Sequence, residues 1–214
     1  MRFYLIIIFA PFFLFSQIQY EKNDHVKIKT KIKKNNFIIY YSFKDHFGEM
    51  NDMILSFDKK KMNEAISRLG IPYSMFDSYE YGSLEKERNR ILMEGLFHKK
   101  DKKLGLDYNA IVSFYRPYLK QIANDLIKLL KQKKKDNRIN RIEIAMKFIQ
   151  DIPYGKPRKN REVYKQGCLS PLEVLLEGYG DCDSKTLLFA SILSHMINPN
   201  DMIFLSGDQH VLSA

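Results

Sequence analysis

Between Val26 and Lys33 the chain alternates apolar or small positions with lysines, in Val26-Lys27-Ile28-Lys29-Thr30-Lys31-Ile32-Lys33. That period of two is the signature of a strand with one buried face. Phe37-Ile38-Ile39-Tyr40-Tyr41 follows Asn35-Asn36, so the two runs predict a β-hairpin. Beyond it the period lengthens. A helix is expected from about Lys59 to Leu69, stopped by Gly70 with Pro72 beyond. Another is expected from about Ser83 to His98, with Glu85, Glu87, Arg88 and Arg90 on its polar side. From Tyr108 to Leu130 the apolar positions Ile122, Leu126, Leu129 and Leu130 again recur at helical spacing, and Arg116-Pro117 marks a kink or a fresh start. Ile139, Ile142, Met146 and Ile149 outline one more amphipathic helix that ends before Pro153.

The next segment carries the strongest local signals. Ser170 can cap a helix, Pro171 suits its first position, and Glu173 can complete a capping box. Gly178 ends that short helix, Tyr179-Gly180 makes the turn, and Asp181 is a good N-cap for a second helix running through Leu187, Leu188, Ala190, Leu193 and Met196. Cys182 then falls in the first turn. There a thiol meets unpaired backbone N–H groups and the positive end of the helix dipole, so the thiolate is favoured and the pKa is expected to fall. The same amides suit an oxyanion. Asp181 and Asp183 would oppose ionisation if they faced the sulfur, which calls for a cationic partner. Met202–Leu205 and Gln209–Leu212 predict a terminal hairpin around Gly207-Asp208. On its second strand His210 shares a face with Leu212 and Ala214, turned towards the Cys182 helix.

Pro171, Glu173, Leu175, Gly178, Gly180, Asp181, Cys182, Asp183 and His210 together resemble the transglutaminase-like superfamily of papain-type cysteine enzymes, in its bacterial cysteine-peptidase form. Phe148-Ile149-Gln150-Asp151-Ile152-Pro153-Tyr154 looks like the end of the helix that precedes the nucleophile helix in exported members. The resemblance covers roughly residues 110 to 214. It implies an α+β fold with a papain-like core, in which a helical lobe holding Cys182 packs on an antiparallel sheet holding His210. It further implies Cys182 as nucleophile and His210 as general base and acid. The orienting acid of the family, usually an Asp on the strand after the His, would lie past Ala214: either the domain is incomplete at its C-terminus, or a residue outside the pattern takes that role, or the domain is not catalytic. Some relatives bind calcium through the acids beside the nucleophile, here Asp181 and Asp183, although two carboxylates are too few for a calcium site. No cofactor is otherwise expected.

A second cysteine, Cys168, leaves another reading open. An exported chain with an even number of cysteines admits a disulfide, and a Cys168–Cys182 bridge would consume the nucleophile.

Export is suggested by Met1-Arg2 followed by the uncharged, apolar run Phe3–Phe15, which is shorter than the roughly 20 residues of a membrane span and reads as a signal peptide. An uncleaved N-terminal anchor is the alternative, which would associate the protein with a membrane. The net charge of +10 is densest at Lys131–Lys135 and from Lys156 to Lys165. Without aromatic interleaving, these runs do not point to specific nucleic-acid binding. Phosphate-binding glycine loops and zinc spacings are absent, and the histidines are dispersed.

The sequence therefore predicts residues 1–17 as signal peptide or anchor, 18–106 as an N-terminal extension of β-hairpin and helices, and 107–214 as the transglutaminase-like domain. The expected function is an exported, periplasmic or extracellular cysteine hydrolase acting on protein or peptide amides. The alternatives are an inactive binding or assembly module of the cell envelope and a protein-crosslinking acyltransferase.

Overall fold

The computed structural model describes residues 23–69, 92–100, 103–156, 168–206 and 211–213. The predicted N-terminal segment, the helix stop at Gly70 and most of the loop from Tyr154 to Gly167 lie outside them. What is described is a mixed α+β fold, with helices packed against small antiparallel sheets.

The N-terminal hairpin forms as expected and acquires a third strand. β1 (Lys27–Lys33), β2 (Asn36–Lys44) and β3 (Met50–Asp58) make an antiparallel meander in that order. β3 carries the same alternation as its neighbours: Met53, Leu55 and Phe57 are buried, while Asp52, Ile54 and Ser56 are exposed. The inner face of the sheet, including Phe37, Ile39, Tyr41 and Phe43, packs on the helices.

At the end of β3, Asp58 caps α1 (Lys59–Ser67) by accepting from the Lys61 amide at 2.8 Å. The helix predicted to reach His98 does not. Gly95 adopts φ +78°, a left-handed turn that ends helices. The chain then extends into β4 (Phe97–Lys100), paired antiparallel with β5 (Lys103–Leu106).

α2 (Tyr108–Gln132) runs through Pro117 as one helix. α3 (Arg138–Gln150) follows, but its buried face differs from the expected one. Ile149 is buried and Ile142 packs against the core as expected, but Ile139 and Met146 are exposed, and Ile144, Ala145 and Phe148 are buried in their place. The sheet decides this: Phe148 meets Tyr41 and Phe43 edge-on at 4.9 and 5.4 Å, and its carbonyl accepts from the Tyr41 hydroxyl at 2.6 Å.

α4 (Pro171–Glu177) begins at Ser170 with both halves of the capping box in place and Pro171 at its first position. It ends at Gly178, whose φ is +73°. A Cβ there would also lie 2.8 Å from Ile28 Cγ2. Gly178→Ala is therefore expected to cost about 1–3 kcal/mol, from left-handed strain plus the clash. Thermal melts of the variant alone and combined with Ile28→Ala separate the two. The second change should relieve the clash and leave the strain.

α5 (Cys182–Leu193) touches α2, α3 and α4. After a 3-10 turn at Pro199–Asp201, β6 (Phe204–Ser206) and β7 (Val211–Ser213) form the expected terminal hairpin, with β7 against α5. The buried side chains of the N-terminal sheet and of the helices form one cluster. Among the described residues, no helix is long and apolar enough to cross a membrane.

Candidate functional site

Cys182 is the first residue of α5, exposed and a free thiol. Its turn is pinned from two sides. On one side the segment leaving α3 runs parallel to it: the Gly180 amide donates to the Pro153 carbonyl and the Gly155 amide to the Gly180 carbonyl, both at 3.1 Å. On the other, the Leu169 amide donates to Ser184 Oγ at 2.7 Å, and that hydroxyl donates to Asp181 Oδ1. Ser184 is fully buried, and its own amide donates to the same carboxylate oxygen at 2.9 Å.

This relay settles the orientation of Asp181. Its carboxylate serves as the N-cap and is held by Ser184. Burial pushes the Asp181 carboxyl up, the Ser184 hydrogen bonds act against that, and the neighbouring Asp183 charge adds to it. Asp181 uses the Ser184 amide, and the Cys182 amide stands in the first turn of the helix, where no intrahelical acceptor exists.

Cys168 is the opposite kind of thiol. It is fully buried, and its Sγ–H donates to the Leu169 carbonyl at 3.3 Å. Burial first, then the Asp181 charge, push this thiol far up, and Asp183 adds to the effect while Ser184 partly offsets it. No disulfide joins the two cysteines. Tyr108 completes this side of the site, its ring 5.6 Å from that of Phe204. Burial, with the Asp183 charge next, raises its hydroxyl to about 12, so it stays a neutral phenol.

Lys185 and Asp151 complete the surroundings, and sequence reasoning assigned neither. Lys185, one turn along α5 from Cys182, donates to the carbonyls of Ile152 at 2.7 Å and Gln150 at 3.3 Å. It thereby caps the end of α3 with a cation, where the helix dipole favours one. Burial lowers its pKa, and the attractions of Cys182 and Asp151 work in the other direction. Asp151 caps α3 and is buried. Its Oδ2 accepts from the Lys44 amide at 2.8 Å and meets His25 Nε2 at 2.7 Å, and its Oδ1 accepts from Asn23 at 3.3 Å. Asn23 and His25 are thus tied to the end of α3, and through Pro153 to the turn before Cys182.

His210 lies outside the described residues. Its successor Val211 pairs with Ser206 in the hairpin whose strand β7 lies against α5. Among the described residues, no group of three or more His, Cys, Asp or Glu side chains stands together as a metal site. No family model, curated protein or solved structure matches the chain.

Proposed function

We propose that this protein is a cysteine hydrolase with a transglutaminase-like, papain-type core, acting on amide bonds of proteins or peptides outside the cytoplasm. One observation carries the proposal. Cys182 is an exposed, free thiol at the first position of a helix, and the carboxylate of Asp181 is turned away into the cap. That arrangement offers dipole and amides to a thiolate and to an oxyanion. In the proposed reaction the Cys182 sulfur attacks the amide carbonyl, and His210 takes the thiol proton and gives it to the departing amine. A thioester is left on Cys182, and water releases it as the carboxylic acid. Transfer to a lysine amine in place of water would make the protein a crosslinking acyltransferase.

The test is iodoacetamide alkylation of the native protein, with each cysteine quantified by peptide mass, in wild type and His210→Ala. Exposed Cys182 should react at least about a hundredfold faster than buried Cys168, which serves as the internal reference. The histidine variant should slow Cys182 at least about tenfold while leaving Cys168 unchanged. Hydrolysis of an unfolded protein substrate should disappear in Cys182→Ala. A Cys182 rate indifferent to His210, with no hydrolysis, would remove the enzyme reading and leave a binding or assembly module.

A further inference from the structure

The outer face of the N-terminal sheet is built differently from the rest of the surface. Lys27, Lys29, Lys31 and Lys33 all project from it, on an edge strand that contains no acidic residue. Strand geometry sets neighbouring lysines in this row about 6.8 Å apart. None of the ion pairs among the described residues engages them. Lys31 lies over the ring of Tyr40, 5.6 Å from its centroid.

The register places apolar groups beside this row. Lys29 pairs with Tyr40, Tyr40 with Ile54, and Lys31 with Ile38. Tyr40 is 40% exposed and Ile54 61%, although both sit mid-strand in a fully paired meander. Between them and the lysines lies a shallow depression of about 570 Å³, bordered by Lys27, Lys29, Tyr40, Ser42, Asp52 and Ile54.

We infer that this face docks on an anionic lipid surface, with the β1 lysines on the headgroups and Tyr40 and Ile54 dipping into the interface. Three features favour lipid over nucleic acid. The face offers one aromatic ring, too few to stack successive bases. It has no arginine for bidentate phosphate contacts. Aliphatic side chains beside a polybasic row are the chemistry of an interfacial anchor. The apolar run Phe3–Phe15 also ends twelve residues before Lys27, so a chain retaining that run would present β1 close to a bilayer.

The experiment is sedimentation of the full chain with vesicles of phosphatidylcholine alone and with added phosphatidylglycerol. It compares wild type, a variant carrying Lys→Gln at 27, 29, 31 and 33, and a charge-matched control carrying Lys→Gln at 120, 128, 131 and 135. Phosphatidylglycerol should raise wild-type binding, and the β1 variant should lose that gain by roughly tenfold or more, while the control loses far less. Because the chain has no tryptophan, Tyr40→Trp reports on this face alone. Its emission should shift to the blue with anionic vesicles and return on adding salt. Equal loss in both lysine variants, an unshifted emission from the Tyr40→Trp protein, or tighter binding to a single-stranded oligonucleotide than to the vesicles would overturn the inference.

Discussion

Asp151→Ala is expected to destabilise the fold by about 3–5 kcal/mol, because hydrogen bonds to a charged group contribute about 1.5–3 kcal/mol each and a stranded buried donor adds its own penalty. The carboxylate ties two separated parts of the chain to one helix end: Asn23 and His25 before the sheet, and the Lys44 amide at the end of β2. Removing it leaves the Lys44 amide without this acceptor and frees the N-terminal segment. Asp151→Asn keeps one carbonyl oxygen and should retain roughly half of the stability. Urea unfolding, with ΔG extrapolated linearly, measures both. The damage should reach the site as well. The segment leaving α3 carries Pro153, whose carbonyl holds the Gly180 amide, so Cys182 alkylation should also change in the alanine variant. A loss below about 1 kcal/mol would mean that the three donors find water as readily as they find Asp151.

Lys133→Met is expected to cost about 3 kcal/mol, near the lower end of the range for breaking a buried pair. Lys133 donates to Asp45 at 2.8 Å and to Glu49 at 2.6 Å, and the Asp45 side chain is fully buried. The Phe47 and Glu49 amides and Asn51 also donate to Asp45. Their survival is the reason to expect the smaller figure. Adding Asp45→Asn should recover part of the loss, since the stranded charge is then gone.

The same cluster predicts an acid response. Burial alone would raise the Asp45 carboxyl, but the hydrogen bonds from Lys133, the Glu49 amide and Asn51, with the Lys133 charge, hold it below its ordinary value. A carboxyl depressed in the folded state contributes stability above its unfolded pKa of about 3.9, and loses it as pH falls through the folded value. Unfolding curves between about pH 5 and pH 2 should therefore be steeper in pH for the wild type than for Asp45→Asn.

Much of the site's local frame is legible in the residues. Ser170, Pro171 and Glu173 announce a capped helix, Gly178 its stop, and Asp181 the cap that puts Cys182 first in line. Each signal acts within a few residues of its target, so the order of residue types is sufficient. Alternation likewise marks β1, and the apolar run Phe37–Tyr41 marks β2. It is equally present from Met50 to Asp58, where Met53, Leu55 and Phe57 alternate with polar positions, but Ile54 interrupts the polar face and hides the third strand. The apolar face of α3 is ambiguous for a related reason. Ile139 and Met146 fit the helical period, but the period does not say which of two apolar stripes the sheet will cover.

The lysine run 131–135 shows the same limit. Its local pattern registers only as dense charge, yet it contains the residue that neutralises a carboxylate buried far away in the chain. The Asn23, His25 and Lys44 contacts to Asp151, the Lys185 cap on α3 and the Ser184 relay to Leu169 are of this kind as well. The sequence by itself determined most of the elements, their caps and the place of Cys182 at the head of its helix, because short-range sterics and hydrogen bonding act between near neighbours along the chain. Only the tertiary structure decided which carboxylates are buried, which cations reach them and how the N-terminal sheet braces the turn before Cys182. Those pairings depend on distances that close only when separate elements pack, and nothing in the local order of residues encodes them.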